Sequence, residues 1–213
     1  MKAIIFDMDG VLINSMKYHI ISWKNAFKLH ELEPSNETLS LYEGMSFNET
    51  IKRISKEEGR NFSDSQRDEI YLEKKKILKK IFKLEVYEGV NEFLLFLKNK
   101  GIKLGVVTGA NKEFADDIYE KNFKNIFDVE ITGGDVIHGK PNSEPYKKAL
   151  QLLNCEAKDV IVIENAPLGI KSAKDVGLIV YALETTLDKK HLKGADKIFE
   201  NHKQLFDNIR RIL

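Results

Sequence analysis

Two aspartates two residues apart, Asp7 and Asp9, close a short apolar run and are followed at once by Gly10. Acids at i and i+2 share one face of an extended strand, and a turn at the glycine lets the second bend toward the first. Both carboxylates can then converge on one site. Paired acids without a nearby positive charge repel, so the arrangement calls for a cation, and carboxylate oxygens favour a hard one such as Mg²⁺. Taken alone, Asp-x-Asp-Gly serves equally well as a pair of caps on a strand-to-loop turn.

Three further segments carry groups that suit an anion and its counter-ion. Thr108-Gly109-Ala110-Asn111 follows the apolar run ending at Val107. It sets a hydroxyl and free backbone amides where an anion could sit. Lys140-Pro141 follows Gly133-Gly134-Asp135-Val136 and offers a point charge that could neutralise a phosphate. Glu164-Asn165 ends the strongly apolar run Val160 to Ile163 and adds a carboxylate and an amide oxygen, both hard-metal ligands. Singly, these are an ordinary strand-to-helix turn, one lysine among many and a polar strand end.

The elements that must position these groups are legible as short continuous apolar runs: Ala3 to Phe6, Lys103 to Val107, Asp128 to Ile131, Val160 to Ile163 and Leu178 to Ala182. Such runs suit strands buried on both faces. Amphipathic segments of helical length lie between the later ones, at Val90 to Lys98, Lys112 to Lys121, Ser143 to Leu152 and Leu168 to Val176. Alternation of this kind predicts a parallel α/β sheet with right-handed crossovers, and open α/β sheets bind ligands at the carboxyl ends of their strands. Asp7, Thr108 and Glu164 all fall there.

The interval from Ser15 to Leu84 breaks the alternation. It shows helical periodicity over Ser15 to Leu32, Phe47 to Glu58 and Ser65 to Phe82, with breaks at Pro34-Ser35-Asn36, Glu43-Gly44 and Gly59-Arg60-Asn61. The expected organisation is a Rossmann-like three-layer core, residues 1–14 and 87–213, interrupted by an all-helical insert over 15–86. The lysine-rich run from Glu73 to Lys80 is interleaved with Ile77 and Leu78, which makes it a solvated helix face rather than a nucleic-acid patch.

Composition narrows the classes. With 213 residues, 42% hydrophobic and 31% charged, the chain is too apolar for disorder and too polar for a membrane protein. Thirty-four Lys and Arg against 33 Asp and Glu leave a formal net charge of +1, so no global field draws it to nucleic acid or an anionic membrane. Cys155 is the only cysteine, which excludes an intramolecular disulfide and suits a reducing cytoplasm. The start, Met1 to Asp7, lacks the long apolar stretch of a signal peptide, and no run nears the roughly 20 apolar residues of a spanning helix.

In this order and context, the segments resemble the haloacid dehalogenase superfamily, and within it the branch of β-phosphoglucomutase and small sugar phosphatases. The resemblance covers nearly the whole chain. It is carried by Phe6-Asp7-Met8-Asp9-Gly10-Val11-Leu12, Val107-Thr108-Gly109, Gly139-Lys140-Pro141 with Glu144-Pro145-Tyr146, and Ile163-Glu164-Asn165 leading into Gly169-Ile170-Lys171-Ser172-Ala173. The helical insert matches the small cap that this branch places after its first motif. The resemblance implies that Asp7 is the nucleophile, that Asp9 is the acid and base, and that Thr108 and Lys140 are catalytic and hold the phosphate with Gly109. It implies Mg²⁺ held by Asp7, Asp9, Glu164 and Asn165. Two positions depart from many relatives, which carry acids where this chain has Asn14 and Asn165. Asn165 keeps an oxygen ligand but removes a charge, which predicts weaker Mg²⁺ affinity.

In the cap, Gly44 resembles the substrate-facing loop, with Glu43 and Phe47 where the mutases carry basic residues. An acid there repels a second phosphate, which favours hydrolysis over phosphate return. His19 and Trp23 resemble the branch's pattern near the hinge; His19 serves either as a substrate contact or as a packed helix histidine, and Trp23 as core. His138 reads as a loop residue. Asp9 argues against the superfamily's dehalogenases and phosphonatases. The resulting expectation is a cytoplasmic, Mg²⁺-dependent phosphatase of a small phosphorylated metabolite such as a sugar phosphate, monomeric or weakly dimeric, with no nucleic-acid or membrane partner. The alternatives are a β-phosphoglucomutase-like hexose-phosphate isomerase and a non-catalytic phosphate-ligand-binding protein.

Overall fold

The computed structural model describes residues 1–213. Six parallel strands form one sheet: β1 (Ala3–Phe6), β2 (Lys103–Val107), β3 (Val129–Ile131), β4 (Val160–Glu164), β5 (Ile179–Leu183) and β6 (Lys197–Phe199). Their spatial order is β3-β2-β1-β4-β5-β6. The chain builds outward from β1 in one direction through β2 and β3, then returns to β1's other side for β4. The reversal lies between β1 and β4, the switch point at which open α/β sheets form a ligand crevice.

Strand residues alternate between the two faces, and both faces are covered. Ile4 and Phe6 pack with Leu104, Val106, Ile161 and Ile163 against α5 (Val90–Asn99), α6 (Lys112–Asn122) and α9 (His202–Ile212). Ala3 and Ile5 pack with Val160, Val162 and Val180 against α7 (Glu144–Leu153) and α8 (Pro167–Lys174). Burial on both faces is why the runs read as continuously apolar. The three-layer α/β core agrees with the sequence-based expectation. Two of its elements were not anticipated. β6 has three residues at the sheet edge, too few to show periodicity, and α9 follows it with Asn201 as N-cap, whose Oδ1 accepts from the Gln204 N–H at 3.0 Å.

Four helices follow β1: α1 (Met16–Lys28), α2 (Asn36–Leu41), α3 (Phe47–Glu57) and α4 (Asp64–Ile81). They bury a centre of their own, including Trp23, Phe27, Leu39, Ile51, Ile54 and Ile70. The short α2 lies between the predicted breaks at Pro34-Ser35-Asn36 and Glu43-Gly44, in a stretch where no helix was expected; Ser35 following Pro34 is its N-cap, its Oγ accepting from the Thr38 N–H at 3.0 Å. The chain leaves and rejoins the sheet side by side, with Asn14 N–H donating to Glu85 O at 2.8 Å and Tyr87 N–H to Leu12 O at 3.1 Å. Glu85 also accepts from Lys17 Nζ at 2.6 Å and Tyr18 Oη at 2.7 Å, anchoring the first turns of α1 to this double crossing.

The lysine-rich run on α4 is corrected in one respect. Lys75, Lys76, Lys79 and Lys80 are exposed, but Lys74 is buried. It shares the i, i+4 stripe of Ile70 and Leu78, so the helix turns it inward with them. No helix is long and apolar enough to cross a membrane.

His202 opens α9 and is buried, with its Nε2 2.7 Å from Val11 O. Burial holds its imidazole below the ordinary range despite that hydrogen bond. The unfolded chain therefore binds the proton more readily, so stability contributed by neutral His202 is present above its unfolded pKa and is lost as pH falls toward its folded one. In urea unfolding at pH 7.5 and 5.0, His202→Gln should lose less stability over that interval than the wild type. An equal loss would place the acid sensitivity elsewhere.

Candidate active site

Asp7 extends the β1–β4 ladder by one residue, its N–H donating to Ile163 O at 2.9 Å. Its carboxylate thus emerges at the carboxyl end of the central strand. Beyond it the chain turns back at once: the N–H groups of Leu12 and Ile13 both donate to Met8 O, and Gly10 takes a φ of +81°. That left-handed conformation favours glycine, and an added Cβ would overlap the Asn165 amide. The turn brings Asp9 back beside Asp7, as the spacing predicted.

Lys140 supplies the positive charge. Its buried ammonium donates to Asp7 Oδ1 at 2.6 Å, Glu164 Oε1 at 2.7 Å and Val107 O at 3.0 Å. Burial alone would lower its pKa, but Asp7 and Glu164 outweigh it and hold the ammonium protonated. Burial together with the charges of Glu164 and Asp9 pushes Asp7 above the usual carboxylate range in spite of Lys140. Asp9 goes the other way. Burial opposes its ionisation, but His19, Ser15 and Lys74 together lower it. Ser15 Oγ donates to Asp9 Oδ1 at 2.5 Å, His19 Nε2 lies 3.3 Å from the same oxygen, and Thr108 Oγ1 reaches Oδ2 at 3.4 Å.

Glu164 is saturated. Oε1 takes Lys140 and the Tyr146 hydroxyl, and Oε2 takes the N–H groups of Asn165 and Ala166. Its four lone-pair positions are thus engaged within the protein, which makes it the holder of Lys140. Gly169 is what gives this carboxylate room, because a Cβ there would overlap it. Alanine favours a helix over glycine by about 1 kcal/mol, whereas overpacking a filled core costs about 1–3 kcal/mol and here would also displace a buried charge. Gly169→Ala should therefore lower stability by about 2 kcal/mol in urea unfolding. A variant as stable as the wild type would show that Glu164 shifts freely.

The cap loop closes the cleft. Gly44, at a φ of +84°, sits against Lys140 and Gly109: a Cβ on Gly44 would lie 3.0 Å from Lys140 Cδ, and one on Gly109 would lie 3.1 Å from Gly44 O. The narrow cleft left beneath it is lined by Asp7, Asp9, Glu43, Gly44, Thr108, Gly109, Lys140, Glu164 and Ala166. Lys140 is the one cationic residue among them. Glu37 of α2 adds a second cap contact, 2.7 Å from His191 Nε2.

Of the residues singled out from sequence, Asp7, Asp9, Thr108, Gly109, Lys140, Glu164, Glu43 and Gly44 come together around this cleft. Asn165 lies behind it, against Gly10. His19 reaches Asp9 rather than the cleft wall, and Phe47 stacks on Tyr71 with ring centroids 3.8 Å apart. Trp23 belongs to the helical centre, and His138 is an exposed loop residue. Sequence reading missed Ser15 and Lys74. Lys74 Nζ lies 3.2 Å from His19 Nδ1 and 5.3 Å from the Trp23 ring centroid, forming a buried chain from α4 to Asp9. The i, i+4 stripe was the available signal for Lys74; Ser15 had none.

The donor set fits a hard divalent cation. Three carboxylates, those of Asp7, Asp9 and Glu164, are buried here, and one ammonium bonds directly to two of them, Asp7 and Glu164. Asn165 Oδ1 is buried without a hydrogen-bond partner, and the Asp9 main-chain carbonyl accepts none. Oxygens left unpaired next to excess negative charge are what such an ion takes up.

Known proteins resemble this chain over most of its length. The family model for haloacid dehalogenase-like hydrolases matches residues 4–183. The validoxylamine A 7'-phosphate phosphatase of Streptomyces hygroscopicus subsp. limoneus is 30% identical over 203 residues, covering 94% of this chain and 93% of its own. A phosphorylated carbohydrates phosphatase of Thermotoga maritima is 27% identical over 84% of this chain and 82% of its own. A Bacteroides vulgatus structure provisionally assigned as a β-phosphoglucomutase shares 33% identity with a TM-score of 0.90, over 99% of this chain and 88% of that one. Taken with the acid pair, the bridging lysine and the helical insert, these matches show that the chain belongs to the haloacid dehalogenase-like hydrolase family, as an enzyme of its phosphatase kind.

Proposed function

We propose that this protein is a Mg²⁺-dependent phosphatase acting on a small phosphorylated metabolite, a sugar phosphate or similar polyol monoester, through an aspartyl-phosphate on Asp7. The observation that carries this reading is the buried Lys140 ammonium shared between Asp7 and Glu164 at the mouth of a polar cleft. It holds one oxygen of Asp7 while Oδ2 accepts no hydrogen bond and remains free to attack phosphorus. As the Asp7–phosphorus bond forms, the ester bond breaks and Asp9 passes a proton to the leaving oxygen. Asp9 is held ionised in the ligand-free arrangement; the negative charge of an incoming phosphate raises its proton affinity where the acid is needed. Asp9 then takes a proton from water as that water attacks phosphorus, releasing inorganic phosphate and restoring Asp7.

Thr108 Oγ1 and the Gly109 N–H, which has no partner in the protein, can donate to the phosphoryl oxygens. Asp7, the Asp9 carbonyl and Asn165 Oδ1 would hold Mg²⁺, with Glu164 supporting through Lys140. The ion would screen the approaching phosphate from the acids. Because Gly44 lies over Gly109 and Lys140, the cap has to lift for substrate to enter, so closure would exclude water. A single cysteine suits a cytoplasmic setting, with the protein a monomer or weak dimer.

Glu43 favours hydrolysis over a mutase reaction. A bisphosphate would place its second phosphate in the cap half of the cleft, where the lining residue is an acid and no second lysine or arginine answers it. Glu43→Gln should change the ratio of kcat/KM between two sugar monophosphates by about tenfold, while a small generic phosphate ester changes less than about threefold. An equal change on every substrate would remove Glu43 from specificity.

The test is phosphate release from a panel of phosphorylated metabolites with Mg²⁺ and with a chelator. The expected result is metal-dependent release from one or a few sugar monophosphates. No release from any ester, or isomerisation of a hexose phosphate primed by a sugar bisphosphate and faster than phosphate release, would overturn it.

A further inference from the structure

The loop after β5 touches the site at two points that the reaction scheme leaves unused. Thr185 Oγ1 donates to Gly10 O at 2.6 Å, holding the turn that carries Asp9. Thr186 Oγ1 accepts from Asn165 Nδ2 at 2.9 Å, and the same hydroxyl lies 3.0 Å from where a Cβ on Gly10 would stand. The Asn165 amide is therefore wedged between Gly10 and Thr186.

An amide differs from a carboxylate in having one acceptor end and one donor end. A carboxylate can present either oxygen to a cation. An asparagine turned the wrong way presents N–H groups, which repel it. Thr186 engages the Nδ2 end, and the opposite end, Oδ1, is the buried atom left without a partner.

We infer that Thr186 is a positioning residue: its hydroxyl fixes the orientation of the Asn165 amide so that Oδ1 faces the cation site, which lets an asparagine do a ligand's work where a second acid would need no such guide. The inference rests on the proposed Mg²⁺-dependent reading. It adds a residue from a loop distant in sequence, and a reason why asparagine is tolerated at this position.

The experiment is calorimetric titration of Mg²⁺ alone into the full-length protein, without substrate, on a double-mutant cycle. Thr186→Val should weaken Mg²⁺ binding by about tenfold, the loss usual when a group orienting a metal ligand is removed. Thr186→Ser, which keeps the hydroxyl, should stay within about threefold of the wild type, and Thr186→Ala, which lacks both the hydroxyl and the bulk of valine, should match Thr186→Val because the lost hydroxyl and not the added methyl is the cause. In the Asn165→Asp background, where both ends are oxygens, Thr186→Val should cost less than about threefold. Thermal melting of each variant separates lost binding from lost fold. A wild type that binds no Mg²⁺ would overturn the metal reading and the inference together. A wild type that binds, with Thr186→Val either unchanged or weakened equally in both backgrounds, would overturn the inference alone.

Discussion

Asp7→Asn should leave a folded protein in which phosphate release falls by at least about 10⁴-fold on every substrate of the wild type. Asparagine has nearly the volume of aspartate, and Lys140 keeps Glu164 and Val107 O as partners, so the site persists. What disappears is the nucleophile. The amide has no anionic oxygen to attack phosphorus, and the route through a covalent intermediate closes, leaving only direct attack by water on a bound ester. Circular dichroism and a melting curve close to the wild type, alongside the loss of turnover, would complete the result. Activity reduced only about tenfold would mean that Asp7 binds rather than reacts, and the aspartyl-phosphate scheme would fail.

The second large effect concerns Lys140 and should appear in both stability and rate. The side chain is 3% exposed, and its ammonium is the sole direct cationic partner of Asp7 and Glu164. Lys140→Met preserves much of the apolar stem but leaves two buried carboxylates facing each other. Breaking a buried pair by removing one partner costs about 3–5 kcal/mol, because the stranded charge is neither solvated nor paired. For a chain of this size that corresponds to a fall in Tm of roughly 10 °C. Turnover should fall at least about a hundredfold, since the charge that answers the transferring phosphoryl group is gone. A Tm within a degree or two of the wild type would show that the carboxylates find other partners, and the bridging role given to Lys140 would be wrong.

The two departures from the family's usual acids fall in different surroundings. Asn14 lies at the double crossing between cap and core, where Nδ2 approaches Glu85 Oε2 at 3.4 Å and Oδ1 faces the Tyr87 hydroxyl at 3.5 Å. That is a joint, away from the reacting atoms. Asn165 lies against Gly10, immediately behind the acids, so it bears on the cation. One substitution would tune cap movement and the other metal affinity, and neither removes a group that the proposed phosphoryl transfer uses directly.

The core was legible because burial on both faces leaves a mark that needs no tertiary knowledge: Val160 to Ile163 or Lys103 to Val107 can be little else than inner strands. The candidate site was legible for a related reason. Asp7, Thr108 and Glu164 each stand where a buried strand ends, and the sheet's parallel order alone brings those ends together. What the sequence did not disclose is carried by approach between distant segments. Lys74 meets His19 across 55 residues and Thr185 meets Gly10 across 175, and a hydrogen bond between such groups has no periodicity to betray it. A lysine at a stripe position looks solvated until α4 packs on α1 and turns it inward, and a threonine in a loop looks incidental until the fold sets it against an amide. By itself the sequence determined the layers, the strand ends and the acids on them, because those follow from local burial and spacing. Only the tertiary structure decided which polar groups pair, which oxygens stay unpaired and how the cap closes, because those depend on long-range packing that no short window of residues contains.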